Sequence, residues 1–201
     1  MKERDISILI ITTITVLSLF VYNSPTDTGI AIKKEMKDIF SPEKVVKQSI
    51  EGMDEEIQMK LNEGHRSEYV MYVDEERYML THGEKSDVIT PLHPAPENYP
   101  EVTMEIEQFP NEKPLDLVEI IEAQLHKEFT KLEVAEITNP IKGYQIHGAA
   151  GNKADSKIVN AYVISNGKEG SFVITQFYFL EAAEGHGARL HHMLETFKIV
   201  E

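Results

Sequence analysis

Apolar positions change their spacing several times along the chain. From Ile6 to Tyr22 the sequence ISILIITTITVLSLFVY is apolar and uncharged, with Thr12, Thr13, Thr15 and Ser18 as its polar members. Such hydroxyls can bond back to helix carbonyls. Its length corresponds to roughly 25 Å of helix, enough for a short membrane span, and Tyr22 suits the interfacial aromatic belt. Lys2 and Arg4 precede the run, flanked by Glu3 and Asp5, and the next lysine is Lys33. That asymmetry predicts a cytoplasmic N-terminus and an exported remainder. The rival is a cleaved signal peptide, which needs a shorter apolar core and a small-residue cleavage site. Leu19-Phe20-Val21-Tyr22 is bulky instead. The expectation is therefore a single-pass cell-membrane anchor at residues 6–22 with an extracytoplasmic C-terminal domain. Secretion after signal cleavage is the alternative. Asn23 to Thr28 (NSPTDT) reads as linker, so residues 1–40 form the anchor and linker.

From 41 to 64 the spacing reads as helical. Ser41 can N-cap, Pro42 suits the first helical position, and Phe40 can staple onto Val45. Val46, Ile50, Met53, Ile57 and Leu61 form one stripe, and Gly64 is an end signal. The stripe runs for under three heptads and Gly52 interrupts it, so an amphipathic connecting helix is expected rather than a coiled-coil stalk.

From 65 to 201 alternation dominates. Glu68 to Val73 and Arg77 to Thr81 read as a hairpin around Asp74-Glu75-Glu76. A loop with Pro91, Pro94, Pro96 and Pro100 follows. Val102, Met104 and Ile106 then alternate with Glu101, Thr103, Glu105 and Glu107, predicting a strand with one buried and one acidic face. Pro114 opens a helix with Val118, Ile121, Leu125 and Phe129 inward. Four more strands are expected at Glu133 to Thr138, Gly143 to Ala149, Lys157 to Ser165 and Ser171 to Phe179, with loops at Gly151-Asn152 and Asn166-Gly167. Glu181 to Glu195 reads as a closing helix. These elements predict an α+β domain: an antiparallel sheet of about six or seven strands with helices packed on its faces, preceded by the N-terminal transmembrane helix.

Composition narrows the function. The 201 residues include no cysteine, which excludes a disulfide framework, a thiolate zinc site, a thiol nucleophile and a lipidated cysteine anchor. The net charge of −14 argues against nucleic acid as a partner, because phosphate contacts require Lys and Arg. Between Glu97 and Glu136 eleven acids face Lys113, Lys127 and Lys131.

The segment Ser171-Phe172-Val173-Ile174-Thr175, then Glu181-Ala182-Ala183, then Met193-Leu194-Glu195-Thr196-Phe197, resembles the closing strand and helix of PsbP-like domains. The likeness covers roughly residues 66–200. The family usually has Ser where this chain has Thr196, and the "P-x-g-W" element of many members is missing, since there is no Trp. The resemblance implies an α/β/α sandwich over residues 65–201 and a noncatalytic binding or assembly role. It brings no metal, since no matching ligand set is visible, and no cofactor is expected.

Three residue groups invite chemistry. His186, His191, His192 and Glu195 on the closing helix are weak metal candidates; His191 and Glu195 are four apart, but no H-E-x-x-H occurs. Packed or capping histidines are the more ordinary account. His82, Asp87 and His93 are candidates for an acid/base pocket if the fold brings them together. Glu101, Glu105, Glu107, Glu119 and Glu122 suggest an acidic docking face for a basic partner or divalent cations, although a solvated face explains them as simply. No nucleophile elbow, P-loop or dinucleotide fingerprint occurs. The expectation is a membrane-anchored binding or assembly module acting through an unidentified protein partner, with a basic protein as the candidate. A cell-envelope hydrolase or a metal-binding protein using a His/carboxylate cluster is the alternative.

Overall fold

The computed structural model describes residues 40–65 and 68–200. The chain divides into two units, Met1–Pro42 and Glu43–Glu201. The predicted anchor at residues 6–22 lies outside the described residues. Among the described residues no helix is long and apolar enough to cross a membrane.

The second unit is mostly antiparallel sheet with two helices. Its strands are β1 (Glu43–Ile50), β2 (Met53–Glu63), β3 (Tyr69–Val73), β4 (Tyr78–His82), β5 (Ser86–Pro91), β6 (Thr103–Phe109), β7 (Leu132–Ile137), β8 (Gly143–Ala149), β9 (Lys157–Ser165), β10 (Ser171–Phe179) and β11 (Lys198–Ile199). Helix α1 (Pro114–Leu125) separates β6 from β7, and α2 (Ala188–Leu194) precedes β11. The large sheet has the order β4-β5-β6-β10-β9-β8-β7, and the small sheet β1-β2-β3-β11.

Residues 43–63 form a hairpin where a connecting helix was expected. Val46, Gln48 and Ile50 on β1 face Ile57, Glu55 and Met53 on β2. The supposed helical stripe is broken, because Met53 is 60% exposed whereas Met59, off that stripe, is buried. Ile57, Met59 and Leu61 carry the period of two that decides the matter. Glu51 and Gly52 join the strands with positive φ at both residues, the backbone of a tight hairpin turn.

β3 and β4 do not form the expected hairpin either. β3 pairs with β2 and β11, whereas β4 pairs with β5. All five residues of β3 are buried, the pattern of a strand covered on both faces. At Asp74 the chain turns, its carbonyl accepting from the Arg77 and Tyr78 N–H groups, and enters the other sheet. The hairpins β8–β9 and β9–β10 pair as their loop signals predict.

Helix α1 lies on one face of the large sheet. Pro114 occupies its first turn, where a missing N–H costs nothing. Leu117 and Val118 are buried against Ile146, Ala161, Val163 and Val173. The opposite face carries the main core, including Met104, Ile106, Tyr162, Phe172 and Ile174. The small sheet (Ile57, Met59, Met71, Val73) and α2 (Leu190, Met193, Leu194) cover it together, where helices alone were expected. Each such fully buried side chain contributes about 1.5–3 kcal/mol of transfer free energy. The closing run is 3₁₀ at Leu180–Ala182, π-helical at Ala183–Gly187 and α only at α2.

Candidate functional site

Asp87 meets three polar partners between the two sheets. On β5 it shares the inward face with Ile89, and its register partner is His82 on the edge strand β4. Asp87 Oδ1 lies 2.7 Å from His82 Nδ1. Oδ2 accepts the Tyr69 hydroxyl at 2.6 Å and the His65 backbone N–H at 2.7 Å. A carboxylate only accepts, so the Nδ1 proton is on His82, and in the neutral ring Nε2 is the acceptor nitrogen. The imidazole is half-exposed. Burial, then the bond to Asp87, raises the Tyr69 phenol far above its ordinary value, so it remains a donor. Its ring stacks on Phe197 at 4.8 Å and meets Phe172 edge-on. A cavity of about 250 Å³, lined in part by Tyr69, Asp87, Lys85 and Gln108, opens beside this hub.

His93 does not join this hub. It is exposed on the loop after β5, and register places Tyr78 opposite Pro91, so His93 lies beyond the far end of the β4–β5 hairpin from His82. About four residues of strand, roughly 13 Å, separate the two ends. The expected trio becomes a His82–Asp87 pair completed by Tyr69 and His65.

The C-terminal histidines are also divided. His186, in the π turn, places Nδ1 2.8 Å from the buried Tyr78 hydroxyl. Burial, helped by Arg189 and opposed by Glu51, lowers the His186 pKa. Burial likewise lowers that of His191. The carboxylate of Glu195 meets His192 at 2.8 Å, three residues away, and not His191 as the i, i+4 spacing suggested. Among the described residues no group of three or more His, Asp or Glu side chains is arranged to hold a metal ion.

Of the acidic group, Glu101 precedes β6, Glu105 and Glu107 lie on β6, and Glu119 and Glu122 lie on α1. The Ser86 hydroxyl donates to Glu105 at 2.6 Å. Burial, then the neighbouring Glu105 charge, raises the Glu107 pKa, while Lys85 opposes the shift.

Two polar networks escape sequence reasoning. On the core face of β8–β10, Asn160 Oδ1 accepts from Gln145 at 3.0 Å and is 2.9 Å from His147 Nδ1, while its amide donates to the Tyr178 hydroxyl at 2.8 Å. Arg189 on α2 reaches the Glu55 carboxylate on β2 at 2.9 and 3.2 Å, tying helix to hairpin. The available signal was parity: Asn160 alternates in step with Ile158, Tyr162 and Ile164, so a polar residue on that face needs an internal partner.

No known family model matches the chain, and no curated protein matches it.

Proposed function

We propose that this chain is a membrane-anchored extracytoplasmic binding or assembly module of PsbP-like type that acts through contacts with a basic protein partner. One observation carries the reading: α1 covers only part of its face of the large sheet. The cluster it buries is drawn from β8, β9 and β10, with only Phe109, at the end of β6, packed against it from β6. On β4, β5 and β6 the same face presents Met79, Thr81, Val88, Thr90, Thr103 and Glu105, and each retains solvent exposure. A sheet face that the described residues leave partly exposed, with apolar, hydroxyl and acidic side chains, suits a protein partner of opposite charge. Glu101 and Glu107 add to its negative sign.

The test is a crosslinking pull-down from membranes using the full chain, beside the charge-reversed E105K/E107K variant. A basic protein captured by the wild type, released by salt and lost in the variant supports the reading. Equal capture by both chains overturns it. Protease protection of a C-terminal tag in intact cells and spheroplasts tests the topology. Protection in spheroplasts would place the domain inside and remove the extracytoplasmic part.

The 2.7 Å contact between His82 and Asp87 favours a second reading, an envelope hydrolase with His82 Nε2 as general base. Ester and amide turnover by the full chain that is lost in H82A supports it. Equal turnover in H82A, or none in either chain, removes it.

A further inference from the structure

Where β6 meets β10, the large sheet carries a groove of two adjoining chambers. One, of about 370 Å³, lies against the proline-rich loop and is lined by Pro91, Pro94, Pro96, Tyr99 and Val102. The other, of about 450 Å³, includes Pro100, Glu128, Asp155, Lys157 and Phe177. Glu101 and Thr103 line both chambers, so the two share a wall. Thr103 is the register partner of Phe177, which sets the groove directly on the sheet.

The groove already holds one cation of its own. Lys157 Nζ lies 3.0 Å from both Glu128 oxygens and 4.7 Å from the centroid of the Phe177 ring. Carboxylate and aromatic face together are the surroundings that bind a side-chain cation. The first chamber offers the same chemistry, and among the described residues no Lys or Arg lines it. It has the Tyr99 ring, the Glu97 and Glu101 carboxylates and apolar proline walls. Among the described residues no Lys or Arg forms an ion pair with Glu97, Glu101 or Asp155.

We propose that the groove takes an extended segment of a basic protein and receives an Arg or Lys side chain in the proline-lined chamber. The aliphatic stem lies along Pro91, Pro94 and Tyr99, and the charged head meets Glu97 and Glu101. A second basic residue two positions along the segment, roughly 7 Å away, reaches Asp155 across the shared wall. This inference rests on the binding-module reading and names the chemistry its partner must carry.

The probe is the acetylated, amidated heptapeptide Ser-Arg-Thr-Arg-Thr-Arg-Ser, titrated into the full chain in uncharged maltoside micelles and followed by amide NMR. Saturable shifts should centre on Tyr99, Glu101, Thr103 and Phe177. In E97Q/E101Q the Kd should rise on the order of tenfold, while the spectrum keeps its dispersion because both side chains are exposed. The counterpart with Glu in place of Arg should not bind. No saturable shift, equal binding of the Glu peptide, or an unchanged Kd in E97Q/E101Q overturns the inference. If E97Q/E101Q still captures the membrane partner that E105K/E107K loses, the groove assignment fails and the module reading stands. If neither the wild type nor the variants capture a basic protein, the module reading fails as well.

Discussion

The Tyr69→Phe substitution isolates one hydrogen bond in the hub that joins the two sheets. Tyr69 belongs to the small sheet and Asp87 to the large one, and their 2.6 Å contact crosses between them. Phenylalanine keeps the stack on Phe197 and the edge contact with Phe172, so packing is preserved. A hydrogen bond to a charged acceptor contributes about 1.5–3 kcal/mol net. Asp87 would keep the His65 N–H and His82, so no carboxylate is left without a donor and the cost belongs near the lower figure. Loss of about 1.5–2 kcal/mol lowers Tm by roughly 3–8 °C for a domain of this size. Urea unfolding measures it directly. A double-mutant cycle with His82→Ala should give a coupling of about 0.5 kcal/mol or more, because both donors share one carboxylate. A cost below about 0.5 kcal/mol for Tyr69→Phe, or strict additivity with His82→Ala, would refute the hub.

Three further outcomes are expected. His186 and His191 are both depressed below 6.5 in the folded chain, chiefly by burial, so the unfolded chain takes up protons first as pH falls through 6.5. Stability present above that value is lost below it, and the urea midpoint should be lower at about pH 5.5 than at about pH 7.5. The difference should shrink in H186N/H191N. Gly64→Ala would drive a methyl into the Tyr69 ring, and urea unfolding should show a loss toward the upper end of about 1–3 kcal/mol. Glu51 holds φ +52° beside Gly52 at φ +76°, so Glu51→Asn should raise stability by about 0.5–1 kcal/mol in thermal unfolding.

Much of the strand content was legible because local pattern and final environment agree. β6 alternates Met104 and Ile106 with Glu105 and Glu107, and the structure buries the first pair while leaving Glu105 exposed and Glu107 half-buried. The β1–β2 hairpin is masked in the sequence because residues four apart share a face in a strand as well as in a helix. Met59 and the Glu51-Gly52 turn distinguish the two readings. β5 has no clear local signal because Asp87 interrupts its apolar residues, and Asp87 is inward only because donors from other segments reach it.

Composition and short-range spacing were enough for the acidic character, the absence of thiol chemistry, the strands from β6 to β10 and the short loops between β8, β9 and β10. Those are properties of composition and of spacing over a few residues. Long-range packing is what sends β3 away from β4 into another sheet, brings Asp87 to Tyr69 and His82 but not to His93, and carries Arg189 across to Glu55. Those contacts join segments up to 134 residues apart. They depend on which faces must be covered together, and no local period in the chain encodes that.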